Sequence, residues 1–333
     1  MSRRERRAAG SATAATVASG ALSRMANESA MAGGPTHGFH RTQWQVLRRR
    51  FWRHKLAVAG AVVLALLSLS AIFAPHLAPY ELNPPLDAET LAGARHGPSG
   101  QHWFGTDELG RDQLTRVLFA GRISLTVGLA VAVVSTVVGT VVGASAGYFG
   151  KWLDQLLMRL TDLFLIVPGL AVLMIAQKGL AGRGAFGGRA GSTALVIVVL
   201  SVLFWQTVAR VVRGLFLSLK EREFVEAARA SGASGLRIIA RHILPNCVGA
   251  IVVNTTLVIG LAILTESVLS FLGFGVQPPT VSWGSMLAQS KGTVGTPQSY
   301  LIYSPGLAIL VTVLAVNFVG DGLRDAFDPQ APR

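Results

Sequence analysis

Residues 56–74 read LAVAGAVVLALLSLSAIFA, a run without a single charge, and this run settles the class of the molecule. As a helix rising ~1.5 Å per residue it is about long enough to cross a hydrocarbon core of ~30 Å. A buried helix of that length in a water-soluble protein carries a polar stripe, and this one carries none. The whole chain agrees: its 333 residues are 51% hydrophobic and only 14% charged, whereas soluble domains carry about a quarter charged residues.

Immediately before that run, Arg48-Arg49-Arg50-Phe51-Trp52-Arg53-His54-Lys55 places cations and aromatic rings at headgroup depth. Residues 1–45 are rich in Ala, Gly, Ser and Arg and read as a disordered cytoplasmic extension. The apolar run begins too late, and runs too long, for a cleaved signal peptide. Five more apolar segments follow, at about 121–147, 156–177, 193–212, 248–271 and 303–320. The expectation is an all-α integral membrane protein with six transmembrane helices. Its parts are a first helix with basic flank (46–75), an extracytoplasmic segment (76–120), a five-helix core (121–320) with a long inner loop at about 213–246, and a cytoplasmic tail (321–333). The third segment holds Arg159, Asp162 and Pro168, so a kink is expected at the proline and an i, i+3 ion pair between the other two.

The net charge of +13 raises nucleic-acid binding, and its distribution argues against it. Arg3, Arg4, Arg6, Arg7, Arg24, Arg41, Arg48, Arg49, Arg50, Arg53 and Lys55 all precede the first span. With the N-terminus inside and six crossings, 22 of the 30 Lys and Arg fall on the inner side, as the positive-inside bias requires. The topology is therefore N-in, C-in. One segment dissents: the outer loop near 178–192 has Lys178, Arg183 and Arg189 and no acid. The single cysteine, Cys247, excludes an intrachain disulfide, and the seven histidines show no metal-binding spacing, so no metal site is expected.

The inner loop is the most informative segment. Glu226-Ala227-Ala228-Arg229-Ala230-Ser231-Gly232 reads as a short helix ending on a glycine with positive φ. Ser234 suits the N-cap of a second helix over Leu236–Leu244, whose Leu236, Ile239 and Ile243 share a face and which Pro245 stops or redirects. Small side chains let a backbone approach a partner closely, and Glu226, flanked by Arg222 and Arg229, adds orientation-dependent charge pairing. An ordinary amphipathic helix pair at the membrane surface has the same composition.

Glu226-Ala227-Ala228, then Gly232, then His242-Ile243-Leu244-Pro245 resembles the EAA signature of ABC importer permeases. The generic pattern has Ile where this chain has His242; the string Arg241 to Asn246 is similar instead to the peptide-importer branch. Phe104 to Asp112, Glu266 to Gly273, Gly275 to Pro279, Ser282-Trp283-Gly284 and Gly320 to Asp325 resemble the same branch, in order, over most of residues 45–329. The chain is thereby identified as similar to the C-type permease of a dipeptide or oligopeptide importer.

That resemblance implies an ABC type I importer permease fold in the plasma (inner) membrane of a prokaryote. It implies a second homologous permease subunit, two cytoplasmic ATPases and an extracytoplasmic solute-binding protein as partners. The EAA loop (Glu226, Ala227, Ala228, Gly232, His242, Leu244, Pro245) would dock on an ATPase. No GxxxxGK[ST] loop is present, so ATP and Mg are expected on the partner ATPases, with no cofactor and no catalytic residue on this chain. The substrate class stays open between peptides and another small solute such as a nickel or metal chelate. An ion-driven secondary transporter would favour paired intramembrane charges and interrupted helices in repeated halves, and an intramembrane enzyme a nucleophile with its base; neither pattern is clear. Gly139, Gly143 and Gly147 have the small-xxx-small spacing of close helix packing. Glu266, Asn254 and Gln206 are polar groups within spans, suited either to a pathway or gate or to hydrogen bonds between helices. Thr106 or Asp107 reads as the N-cap of the helix leading into span two.

Overall fold

The protein is described by a computed structural model over residues 43–180 and 191–327. Val46–Arg333 forms one compact unit, and Met1–Gln45 is a separate one of which only residues 43–45 are described. The expected extension 1–45 therefore lies almost wholly outside the described residues, as do Arg183 and Arg189. The described elements are helical: α1 (Gln43–Arg53), α2 (Lys55–Ile72), α3 (Ala74–Leu77), α4 (Ala88–Ala92), α5 (Gln113–Phe149), α6 (Lys151–Ile166) and α7 (Gly169–Leu180). Then follow α8 (Gly191–Leu219), α9 (Glu223–Ala230), α10 (Gly235–Ile238), a π-turn (Ile239–Ile243), α11 (Leu244–Phe271), α12 (Trp283–Gln289) and α13 (Tyr300–Phe327). Among the described residues the only β-type pairing is an isolated bridge between Thr106 and Asp112.

Among the described residues, five helical stretches are long and apolar enough to cross a membrane: Lys55–Ile72, Gln113–Phe149, Gly191–Leu219, Gly235–Phe271 and Tyr300–Phe327. The remaining expected span, 156–177, is two helices rather than one kinked helix. Pro168 disfavours helical φ/ψ in the residue before it, and Val167 is extended at ψ 122°. Together α6 and α7 still run the length of α8 in the opposite direction. Asp154 meets Arg213, Phe164 stacks edge-on against Trp205 at 5.6 Å, and Gly169 lies against Leu203. Gln177 then donates to the Gly275 carbonyl at 3.1 Å, beyond the far end of α11. Both chain ends of the bundle lie at one side: His54, the N-cap of α2, approaches Asp325 near the end of α13 at 3.6 Å. The segment expected as a tail from residue 321 is still helical to Phe327.

Packing turns on close approach of backbones. A Cβ at Gly139 would lie 2.5 Å from the Trp205 carbonyl oxygen, and one at Gly147 2.5 Å from Phe216 Cβ; Gly143 meets the Ala209 carbonyl closer still. The contacts climb both helices together, so α5 and α8 run parallel with almost no side chain between them. Lipid supplies no hydrophobic drive for helices to associate, so dispersion over such a seam and interhelical hydrogen bonds hold them. The same device recurs where Gly60 of α2 faces the Ala315 carbonyl of α13 and Gly128 of α5 faces Ile263 of α11.

Replacing Gly143 by Val forces branched carbons into backbone, an overpacking that costs about 1–3 kcal/mol or more. The expected result is a fall in Tm of several degrees in detergent for Gly143→Val, with Gly214→Ala, where nothing lies within 4 Å, at or above the parent. A Gly143→Val protein melting with the parent contradicts the seam.

Candidate functional site

At the end of the bundle where α5 and α8 finish, α8 turns through Lys220–Arg222 into α9. Val225 and Ala228 face inward and are buried against Val212 and Phe216 of α8, with Tyr148 of α5 packed beside them. Glu223, Phe224, Glu226, Ala227, Arg229 and Ala230 face out. The two alanines of the pair thus divide: Ala227 is exposed and Ala228 anchors the helix to its own bundle. The Glu226 carboxylate makes no ion pair among the described residues.

α9 ends in a Schellman arrangement. The Ala233 N–H donates to the Ala228 carbonyl at 3.1 Å and the Gly232 N–H to that of Arg229 at 3.0 Å, with Gly232 at φ +77°. Among the described residues, chain neighbours aside, no atom lies within 4 Å of a Cβ built at Gly232, so this apex is open. Gly235 admits the Tyr148 ring, which a Cβ there would meet at 3.1 Å.

The second helix differs from the expectation over Leu236–Leu244. It is helical only to Ile238, widens into the π-turn, and passes straight into α11, whose first turn contains Pro245. Pro245 has no N–H to give, and its ring crowds the carbonyl four residues back; a wider turn, with the Leu244 N–H on the Ile239 carbonyl, relieves that. Pro245 therefore joins the loop to the span instead of ending a helix. The widened turn also changes the phase: Ile238 and Ile243, five apart, share the buried face, and Leu236 is left 74% exposed. Ser234 occupies the N-cap position without a side-chain capping bond. His242 is half-buried, its carbonyl accepting from Asn246 Nδ2 at 2.7 Å, and Leu244 packs against the same core. Exposed Phe224 and Leu236, flanking Ala227, extend the outward surface beyond the residues the motif named. Leu236 carried no signal of this in the sequence, since a regular helix would place it on the face of Ile239 and Ile243.

The polar groups within the spans each have bonds of their own. Glu266 is fully buried, and its Oε1 accepts from Ser270 Oγ at 2.6 Å and Ser282 Oγ at 2.8 Å. Ser282 in turn caps α12, so the carboxylate clasps that short helix to α11. Asn254 Nδ2 bonds back to the Ala250 carbonyl at 2.9 Å, and Gln206 Nε2 to that of Leu203, both on their own helices. Asp162 pairs with Arg210 at 2.5 Å rather than with Arg159: a tertiary cation on α8 displaces the i, i+3 partner. The cap of α5 is Asp112, accepting from the Thr115 N–H at 2.8 Å, rather than Thr106 or Asp107. Asp107 accepts instead from the backbone N–H groups of Leu109 and Arg111 and pairs with Arg111 and buried Arg116, which donates onward to Gln289 at 2.6 Å.

Comparison with known proteins bears on both ends of the chain. Residues 139–331 match the family described as "Binding-protein-dependent transport system inner membrane component". Residues 42–95 match the "N-terminal TM domain of oligopeptide transport permease C". The chain is similar to the glutathione transport system permease protein GsiD of Escherichia coli O6:K15:H31 (strain 536 / UPEC) and of Shigella boydii serotype 4 (strain Sb227). With each it shares 42% identity over 290 residues, covering 87% of this chain and 91% of the relative.

Burial pushes the Asp107 carboxyl up, but the guanidinium of Arg116, then that of Arg111, outweighs it and holds the group below the usual carboxylate range. A folded pKa below the unfolded one means the contribution is complete above the ordinary value near 4 and is lost as pH falls through the folded value. Thermal unfolding of the purified chain should therefore show Tm declining from about pH 5 to pH 3. Asp107→Asn should lower Tm at neutral pH, since stripping one partner from a buried pair costs about 3–5 kcal/mol, and flatten that acid slope. An acid slope unaltered by Asp107→Asn contradicts the assignment.

Proposed function

This chain belongs to the binding-protein-dependent transport system inner membrane components, in their dipeptide/oligopeptide-type ABC permease branch, and from that premise we propose that it forms half of a peptide translocation pathway, driven through the α9 elbow. It is a multi-pass plasma-membrane transport subunit and not an enzyme. ATP and Mg belong to separate ATPase subunits, docked here through Ala227, Gly232 and the exposed Phe224 and Leu236. A second, non-identical permease completes the pathway, and an extracytoplasmic binding protein delivers the solute. A small peptide is the solute that the oligopeptide-type N-terminal match and the glutathione-named relatives favour. The proposed topology has six crossings, α6 and α7 counted together as one, with both termini inside and residues 76–112 outside.

The observation that carries the coupling role is the division of α9 between two faces. Its inner face, Val225 and Ala228, is seated on the ends of α5 and α8; its outer face presents Ala227 and Ala230 among charged side chains and ends at a glycine that no described residue obstructs. A push on the outer face cannot bend the elbow without breaking that seat, so it moves the spans as a body. Two bundle packings of similar free energy are then switched by whichever state the ATPases favour.

An L-residue at φ +77° is strained by about 1–2 kcal/mol, yet no atom of the described residues blocks its side chain. Gly232→Asp is therefore expected to insert and assemble in the membrane while ATP-dependent uptake in proteoliposomes drops at least about tenfold, with ATP hydrolysis no longer tied to solute. Undiminished uptake by Gly232→Asp contradicts the coupling role.

A further inference from the structure

At the outer end of α5 a cavity of about 420 Å³ opens between three parts of the chain. Phe119, Arg122 and Thr126 of α5 form one wall, Asn83 of the outer segment the second, and Pro279 and Val281, after α11, the third. Its depth is fixed by Gly121: a Cβ there would lie 3.6 Å from Ala71 Cβ, at the last turn of α2. Arg122 thus stands where the apolar span ends.

Three arginines near the ends of the spanning helices have acids: Arg116 has Asp107, Arg210 has Asp162 and Arg213 has Asp154, whereas Arg159 and Arg324, like Arg122, form no ion pair among the described residues. Arg122 is exposed, forms no ion pair among the described residues, and no carboxylate lines its cavity. Asp107, on the outer segment, is already held by two arginines. A guanidinium at the edge of a bilayer reaches out to water or headgroups and stays available to a ligand, and its planar fork matches a carboxylate bidentately. Thr126, one turn deeper on the same face, and Asn83 opposite offer neutral hydrogen-bonding groups suited to peptide amides.

We propose that this cavity is an anion-selective subsite at the outer mouth, in which Arg122 takes the terminal carboxylate of a short peptide. The volume is in the range of small-ligand sites and holds a di- or tripeptide. The identity of the solute rests on the importer reading above; the oxyanion preference of the site does not. A phospholipid phosphate offers the same chemistry at this depth, and the test below separates the two sources.

The experiment uses the complete transporter in phosphatidylcholine vesicles, with Thr126→Cys introduced; the native Cys247 is buried. Modification by negatively and positively charged methanethiosulfonates is followed by the mass of this chain. The anionic reagent should gain at least about tenfold over the cationic one relative to the same protein carrying Arg122→Gln, as expected for a charge-assisted contact. Trialanine should slow the anionic reagent, and trialanine amide should not. An unchanged reagent preference after Arg122→Gln overturns the proposal. So does the absence of protection by trialanine, the result expected if lipid phosphate or the partner permease fills the groove. Uptake is measured in the same vesicles before labelling: a transporter that imports no peptide contradicts the importer reading, while the reagent preference still decides the subsite.

Discussion

Everything at the inner end of this molecule depends on two backbones touching. The Gly139–Gly143–Gly147 edge of α5 lies against the Trp205–Phe216 stretch of α8 with carbonyl oxygens where side chains would otherwise be. Because hydrocarbon gives helices no reason to associate, only such contact and buried polar bonds can fix their relative position. The seam ends at Phe216, and Phe216 with Val212 is the floor on which Val225, Ala228, Ile238 and Ile243 are packed. The stiffness of the loop is therefore inherited from the seam. An elbow seated on two helices that slid past one another would transmit nothing.

The polar interactions gather at the two ends. At the end that carries α12, Gln113 donates to the Leu301 carbonyl and Ser304, Trp283 Nε1 to the Val117 carbonyl, and Arg116 joins Asp107 to Gln289. Toward the end that carries α9, Arg213 grips Asp154 with two bonds and Arg210 holds Asp162. Between them the contacts are mostly apolar, with a few hydroxyl links such as Thr136 to Thr255 at 2.9 Å. Apolar surfaces without directional bonds can repack at small cost, whereas clamped ends resist. Such a distribution suits a bundle that opens alternately at either end about its middle.

Much of this was legible in the residues, and the failures share a cause. Length and apolarity suffice for five spans, because a charge-free helix of that length has one stable environment. The glycine ending α9 was legible because positive φ is a local demand. What could not be read locally was which distant group would win a contested partner. Asp162 has Arg159 one turn away, yet Arg210 of another helix takes it. Thr106 and Asp107 look like caps, yet Asp107 is drawn off by Arg111 and Arg116 and leaves the cap to Asp112. Pro245 reads as a terminator in a single helix; with a π-turn before it, the chain runs on, and Leu236 is turned out of the face it shares on paper with Ile239 and Ile243. Pro168 was underestimated, since nothing in the sequence tells a kink from a break.

The central claim is that the outer face of α9 carries force from a separate motor. The direct measurement is crosslinking from Ala227→Cys in the assembled transporter, with thiol reagents of graded length and single cysteines along the ATPase surface. The account predicts a short-range crosslink to one ATPase, formed from the cytoplasmic side and persisting in both nucleotide states, because a rigid joint keeps its contact while the spans move. Reactivity of that cysteine from the extracytoplasmic side, or an Ala227→Cys that meets no ATPase in either state, would contradict it.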